Sequence, residues 1–131
     1  MSIIGIGVDI VNNNRIKKLV KNKNFIKRVF TQNELKLSCK LKNKSNFFSK
    51  RFAAKEAFSK ALGTGISKGI SFNEIVVLNE KSGKPYIKLI NKTKKIVERK
   101  LKKKVYKISL SIADEKDYAV AFVTISIWKK I

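Results

Sequence analysis

The segment from Ser45 to Leu62 constrains the fold most, because it is the longest helical pattern in a chain of 131 residues. At about 100° per residue, most of its apolar side chains fall on one broad face. These are Phe47, Phe48, Phe52, Ala53, Ala54, Ala57, Phe58, Ala61 and Leu62. Gly63 stands where a glycine commonly ends a helix. The pattern therefore predicts a central helix against which other elements pack.

The start of the chain has the alternation of a strand, over Ile3–Val11. One face carries Ile4, Ile6, Val8 and Ile10, and the other carries Gly5, Gly7 and Asp9. Glycines on a strand face allow another element to approach closely, here beside a carboxylate.

The remaining segments complete a predicted order of β-α-α-α-β-β-α-β-β. They are a basic helix opened by Asn12–Asn14, a helix from Gln32 to about Leu41 with a capping box at Thr31 and Glu34, a hairpin of strands Phe72–Asn79 and Tyr86–Ile90, a helix Asn91–Lys104, and strands Val105–Ile112 and Tyr118–Trp128. This order indicates an α+β fold with a mostly antiparallel sheet, in a single domain spanning 1–131. The last strand is apolar on both faces, which predicts a subunit interface.

The charge is strongly basic, with 31 Lys and Arg against 9 Asp and Glu, a net charge of +22. Such a field favours anionic partners. Only four of the basic residues are arginines, the residue type preferred for nucleic-acid recognition, so the charge is weak evidence for a nucleic-acid partner. The basic runs Lys17–Lys27 and Lys92–Lys107 are interpreted as solvated faces. No run is long and apolar enough to predict a membrane span, and no secretory signal is expected. The lone Cys39 fits a reducing cytoplasm, and the lack of histidine excludes imidazole chemistry.

Two of the few acids, Asp9 and Glu56, lie beside small residues where solubility does not explain them. Magnesium commonly takes one or two protein carboxylates together with waters and substrate phosphates. The pair is therefore a candidate Mg²⁺ site. Two alternatives stay open: Asp9 caps the next helix, or Glu56 pairs with Lys60 one turn later.

Arg51 and Lys55 project near the apolar side of the long helix. A cation that leans inward needs an anion from the protein or from a ligand, unless the side chain extends so that its charge reaches water. Beyond the helix, the backbone of Gly63-Thr64-Gly65, with Lys68, is suited to approach phosphates.

Three motifs in order resemble those of holo-[acyl-carrier-protein] synthases, the small single-domain 4′-phosphopantetheinyl transferases. The first is Gly5-Ile6-Gly7-Val8-Asp9-Ile10-Val11 with Arg15-Ile16. The second is Arg51-Phe52-Ala53-Ala54-Lys55-Glu56-Ala57 with Lys60-Ala61 and Gly63-Thr64-Gly65-Ile66, and the third is Gly83-Lys84-Pro85. The resemblance covers essentially the whole chain.

The resemblance implies a homotrimer with active sites between neighbouring subunits. It implies transfer of 4′-phosphopantetheine from coenzyme A to a serine of an acidic apo acyl carrier protein, with release of adenosine 3′,5′-bisphosphate. The implied residues are Asp9 and Glu56 for Mg²⁺; Glu56 and Lys60 for catalysis; Arg51, Lys55, Lys60, Gly63, Gly65, Lys84, Pro85 and Ser111 for coenzyme A; and Arg15 and Arg28 for the carrier. Lys84 is expected on the neighbouring subunit's side of the pocket.

The chain departs from the family at Ser109 and Asp114, where many members have histidine. The base is therefore Glu56, directly or through water, or a metal-associated water. The favoured interpretation involves no membrane and no nucleic acid. The alternatives are a small basic nucleic-acid-binding protein, which predicts steep salt-dependent RNA binding, and a non-catalytic interaction module, which predicts no nucleotide binding.

Overall fold

The computed structural model describes residues 1–42 and 44–128, so residues 43 and 129–131 of the predicted domain 1–131 lie outside the described part. The strands are β1 (Ser2–Asn12), β2 (Ile75–Asn79), β3 (Pro85–Leu89), β4 (Val105–Asp114) and β5 (Tyr118–Trp128). The helices are α1 (Asn13–Leu19), α2 (Lys23–Val29), α3 (Gln32–Ser38), α4 (Lys44–Leu62) and α5 (Asn91–Lys100). None of the described helices has the length and apolar character to cross a membrane.

The strands form two antiparallel sheets, which confirms the predicted α+β class. One sheet has three strands in the order β1-β5-β4, and the other is the hairpin of β2 and β3. Helix α4 packs across β1 and β5 on the inner face of the larger sheet. The inward residues of β5 are fully buried there: Ala119, Ala121, Val123 and Ile125.

Two glycines of β1 set the distance between the sheet and α4. A Cβ atom built at Gly5 would overlap the backbone oxygen of Ala61, and one built at Gly7 would overlap that of Ala57. Since α4 presents alanines at these positions, the backbones of strand and helix meet almost without intervening side chains. The glycine face of β1 therefore has the role that its alternation predicts.

The outer face of the larger sheet is apolar and exposed along β1 and the adjoining part of β5, while β4 adds the polar residue Lys107. On β1 this face is formed by Ile4, Ile6, Val8 and Ile10, all at least 46% exposed. Val8 lies opposite Phe122 of β5, which is 45% exposed, and Phe122 lies opposite Ser111 of β4. The prediction that β5 is apolar on both faces is confirmed, and one chain by itself leaves the outer face uncovered.

The local differences from the sequence prediction concern short elements. Helix α2 was not predicted because its lysines read as a solvated run; the i,i+4 pair Phe25 and Val29, both buried, is the signal for it. The residues Phe72–Glu74 form a 3₁₀ turn instead of the start of a strand. The helix predicted to reach Lys104 ends at Lys100, because Lys102 and Lys103 adopt positive φ angles.

Candidate active site

Asp9, Glu56 and Lys60 meet where β1 crosses α4. The Nζ atom of Lys60 donates to Oδ1 of Asp9 at 2.9 Å and to the backbone oxygen of Val8 at 3.1 Å. The pKa of Glu56 is raised, mainly by burial and then by the charge of Asp9, while Lys60 and Arg15 oppose the shift. The two carboxylates therefore lie close enough to feel each other's charge.

The structure decides between the alternatives left open for these acids. Helix α1 is capped by Asn12, whose side chain accepts from the backbone N–H groups of Asn14 and Arg15, so Asp9 is not the cap. Lys60 forms its ion pair with Asp9 across the strand–helix contact, although its charge also acts on Glu56. Within residues 1–42 and 44–128 no group of three or more acids, cysteines or histidines is arranged to hold a metal ion, so these carboxylates do not belong to a closed metal cage.

A groove of about 600 Å³ runs beside Glu56 and is also lined by Arg28, Ile66, Phe72 and Asn73. Arg28 reaches it from α2. Arg15 lies close enough for its charge to act on Glu56, so both arginines expected to contact a carrier are near this carboxylate.

Arg51 lies elsewhere, on the wall of a cavity of about 580 Å³ that Gly83, Pro85 and Lys50 also line. Its guanidinium stacks 3.7 Å from the ring centroid of Phe47, and Nη2 donates to Oδ1 of Asn79 at 3.1 Å. Arg51 is only 6% exposed, and burial lowers its pKa. Of the residues expected to bind coenzyme A, the structure brings Arg51 and Pro85 together here.

The structure corrects the expectation that Lys55 contacts coenzyme A. Its side chain is fully buried, and Nζ donates to Glu34 Oε1 at 2.7 Å and to the backbone oxygens of Val29 and Phe72. Burial lowers the pKa of Lys55 to about 8 against the opposing effect of Glu34, so the amine is charged at neutral pH. All three ammonium donors are directed to protein oxygens, and the amine has no surface to offer a ligand.

Glu34 is the residue whose role the sequence interpretation missed. It forms the predicted capping box with Thr31, yet it is also fully buried, pairs with Lys55 and lies 3.9 Å from Nε of Arg51. The signal was present, because two inward-leaning cations on α4 required an anion. Glu34 is that anion, so neither Arg51 nor Lys55 extends its charge to water.

The remaining expected contacts are spread over the surface. Gly63 and Gly65 follow α4 with φ angles of +85° and +61°, a backbone region that glycine adopts most readily. Lys84 is in the turn between β2 and β3, and Ser111 lies on the outer face of the larger sheet. These positions do not converge on one pocket within the described chain.

The geometry of α4 explains this spread. Arg51 and Lys60 are nine residues apart, which at about 100° per residue places them on opposite sides of the helix. One chain thus carries two groups of expected site residues. Asp9, Glu56 and Lys60 lie where β1 meets α4, and Arg51 with Pro85 lines the cavity of about 580 Å³, here called the second cavity.

Comparisons with known proteins identify the family of this chain. A family model described as the 4′-phosphopantetheinyl transferase superfamily matches residues 5–123. A holo-[acyl-carrier-protein] synthase of Pelagibacter ubique is 55% identical over 123 residues, covering 94% of this chain and 96% of the relative.

Solved structures show the same likeness. The crystal structure of holo-[acyl-carrier-protein] synthase from Neisseria meningitidis has 38% identity and a TM-score of 0.86, covering 95% of this chain and 99% of that one. The enzyme from Bacillus anthracis, solved in complex with CoA (3′,5′-ADP), has 39% identity and a TM-score of 0.78, covering 94% and 96%. The chain therefore belongs to the 4′-phosphopantetheinyl transferase superfamily and, within it, to the holo-[acyl-carrier-protein] synthases.

The buried position of Lys55 leads to a stability prediction. Lys55→Met leaves Glu34 buried without its main counterion, so we expect the free energy of unfolding to fall by about 3–5 kcal/mol. Lys60→Met is the matched control on the same helix. Because the Lys60 ammonium is half exposed, although Asp9 is mostly buried, its loss is expected to lower the free energy of unfolding by only about 1 kcal/mol. Urea unfolding followed by circular dichroism measures both. Equal losses for the two variants would contradict the structural role of Lys55.

Proposed function

We propose that this chain transfers the 4′-phosphopantetheine group of coenzyme A to a serine hydroxyl of an acidic apo acyl carrier protein, releasing adenosine 3′,5′-bisphosphate. The observation that carries the proposal is the Asp9–Glu56 carboxylate pair with Lys60 beside it, in a chain of the holo-[acyl-carrier-protein] synthase family. The complex of the Bacillus anthracis relative with CoA (3′,5′-ADP) supports the choice of donor.

Asp9 and Glu56 are proposed to hold Mg²⁺. Burial raises the pKa of Glu56 and the charge of Asp9 raises it further, so the two carboxylates repel each other, and a bound divalent cation would relieve that repulsion. Two oxygen donors suit magnesium, which keeps waters and accepts phosphate oxygens as further ligands. When bound, the ion neutralises negative charge on phosphate oxygens.

Lys60 and Glu56 have distinct proposed roles in the reaction. The Lys60 side chain is 52% exposed, so its ammonium is able to contact a phosphate while it remains paired with Asp9. Glu56 accepts the proton of the carrier serine, directly or through a water. The serine oxygen bonds to the β-phosphorus, and the bond from that phosphorus to the leaving phosphate breaks. Catalysis then consists mostly of positioning and charge neutralisation.

The remaining proposed contacts to coenzyme A come from a neighbouring subunit of a homotrimer. Arg51, Lys84 and Pro85 of one chain are proposed to complete the site formed by Asp9, Glu56 and Lys60 of the next. Two observations support this: Arg51 and Lys60 lie on opposite sides of α4, and the outer apolar face of β1 and β5 is uncovered. Ser111 is on that outer face, and Gly63 and Gly65 follow the α4 end that packs on β1.

Arg15 and Arg28 are proposed to dock the acidic carrier protein. Arg28 lines the same groove as Glu56, and the charge of Arg15 acts on Glu56. Cations at the rim of a site accelerate the association of an acidic partner and make it salt-dependent. The proposed compartment is the cytoplasm, which agrees with the exposed free thiol of Cys39.

Neutralising either carboxylate tests the proposed chemistry. We expect Asp9→Asn and Glu56→Gln each to reduce transfer at least about 100-fold, because each removes a metal ligand or the base. The measurement is the intact mass of apo carrier protein after incubation with enzyme, coenzyme A and Mg²⁺. Glu98→Gln makes the same chemical change on α5 and is expected to keep full activity. Full activity of either site variant in the presence of EDTA would disprove the metal assignment.

Charge reversal at Arg15 tests the docking surface. Arg15→Glu is expected to raise KM for the carrier protein at least about tenfold at low salt, with little change in KM for coenzyme A, because a rim charge acts mainly on encounter with the charged partner. Arg99→Glu on α5 produces the same change in net charge and is the control for the overall field. A larger effect on coenzyme A than on the carrier would reject the assignment.

Mixing two inactive variants tests the shared site. If each site takes Asp9 from one chain and Arg51 from its neighbour, randomly mixed Asp9→Asn and Arg51→Ala chains restore about one quarter of the interfaces. Activity should then recover to about that fraction after subunit exchange, which native mass spectrometry verifies. A fully active monomer in light scattering would contradict the trimer. No recovery despite verified exchange would contradict the shared site alone.

A further inference from the structure

The side chain of Asn79 bridges Arg51 and the turn that contains Gly83. Its Oδ1 accepts from Nη2 of Arg51 at 3.1 Å, and its Nδ2 donates to the backbone oxygen of Gly83 at 2.9 Å. Asn79 is the last residue of β2, and Gly83 belongs to the turn that leads into β3. A single amide group therefore connects α4 to the tip of the hairpin.

The chemistry of the two partners fixes the orientation of this amide. A guanidinium only donates and a carbonyl oxygen only accepts, so a flipped amide would satisfy neither partner. An aspartate would lose the donor to Gly83, and an alanine would lose both contacts. Asparagine supplies both groups at this reach.

Arg51 has few other restraints on its direction. Stacking on Phe47 sets the plane of the guanidinium, and Glu34 lies 3.9 Å from Nε, too far for a hydrogen bond. Nε itself is buried without a hydrogen-bond partner among the described residues. The contact with Asn79 therefore fixes where the terminal nitrogens point within that plane.

We propose that Asn79 is a positioning residue that holds Arg51 and the Gly83–Pro85 turn in one geometry on the wall of the second cavity, and so sets the affinity for coenzyme A. The inference rests on the proposed function. Arg51, Gly83 and Pro85 line the same cavity although they come from different elements. A ligand that contacts both walls binds more tightly when their relative position is fixed in advance.

The test is calorimetric titration of coenzyme A into the intact protein in the presence of Mg²⁺. Asn79→Ala is expected to raise Kd about tenfold, a loss equal to that of one charge-assisted hydrogen bond, while kcat at saturating coenzyme A stays within about twofold. Asn79→Gln keeps both polar groups at a longer reach and should recover part of the affinity. Asn24→Ala removes an exposed asparagine side chain from α2, outside the second cavity and the hairpin, and is the matched control that should bind like the unmodified protein.

A double substitution separates positioning from general stabilisation of the hairpin. If Asn79 acts through Arg51, adding Asn79→Ala to Arg51→Ala raises Kd by less than about twofold further. The inference would be overturned if the two substitutions raised Kd for coenzyme A by independent factors that multiply in the double variant. It would also be overturned if Asn79→Ala left Kd unchanged. Melting temperatures identify any unfolded variant, and Asn79→Ser then replaces alanine in the same comparison. If the unmodified protein fails to bind coenzyme A, the proposed function itself is wrong and this inference with it.

Discussion

The contact between the glycine face of β1 and the alanines of α4 is the constraint on which the rest of the structure depends. Because Gly5 and Gly7 have no side chains, the strand lies against the helix backbone at Ala57 and Ala61. Asp9, the next residue on that face, is then within reach of Lys60. The same packing that closes the core therefore brings Asp9 and Lys60 together, so a larger residue at either glycine would displace these two side chains as well as core residues.

A second, buried interaction fixes the other side of α4. Glu34 binds Lys55, caps the start of α3 and accepts from the backbone N–H of Val77 at 3.3 Å, so one carboxylate connects α3, α4 and β2. Removing two charges from water is costly, and such a pair is weak evidence for added stability. Its more specific effect is on register, because α4 cannot rotate or slide without leaving one of these charges without a partner. The orientation of α4 in turn decides which side carries Arg51 and which carries Glu56.

Local patterns predicted much of this fold, and long-range partners explain what they missed. The alternation in β1, the length of α4 and the capping box at Thr31 are each contained in a few neighbouring residues, and all were found in the structure. The helical projection correctly indicated that Lys55 leans inward. It could not supply the anion, because Glu34 lies 21 residues earlier in another element. The link between Arg51 and Asn79 was hidden for the same reason, since it joins residues 28 positions apart.

The absence of charged side chains from β1 and β5 on the outer face of the larger sheet needs an explanation in so basic a chain. Lysine is abundant almost everywhere in this chain. Helix α5, for example, carries exposed basic residues along most of its length. Yet the outward residues Ile4, Ile6, Val8 and Ile10 of β1 are aliphatic. Val120 and Phe122, which lie opposite Ile10 and Val8 on β5, also carry no charge. A general drift toward lysine does not account for a surface on β1 and β5 that lacks it, although Lys107 of β4 lies on the same side of the sheet. The proposed burial against another copy of the chain would account for it, because an unpaired lysine in such an interface would lose its hydration without gaining a counterion.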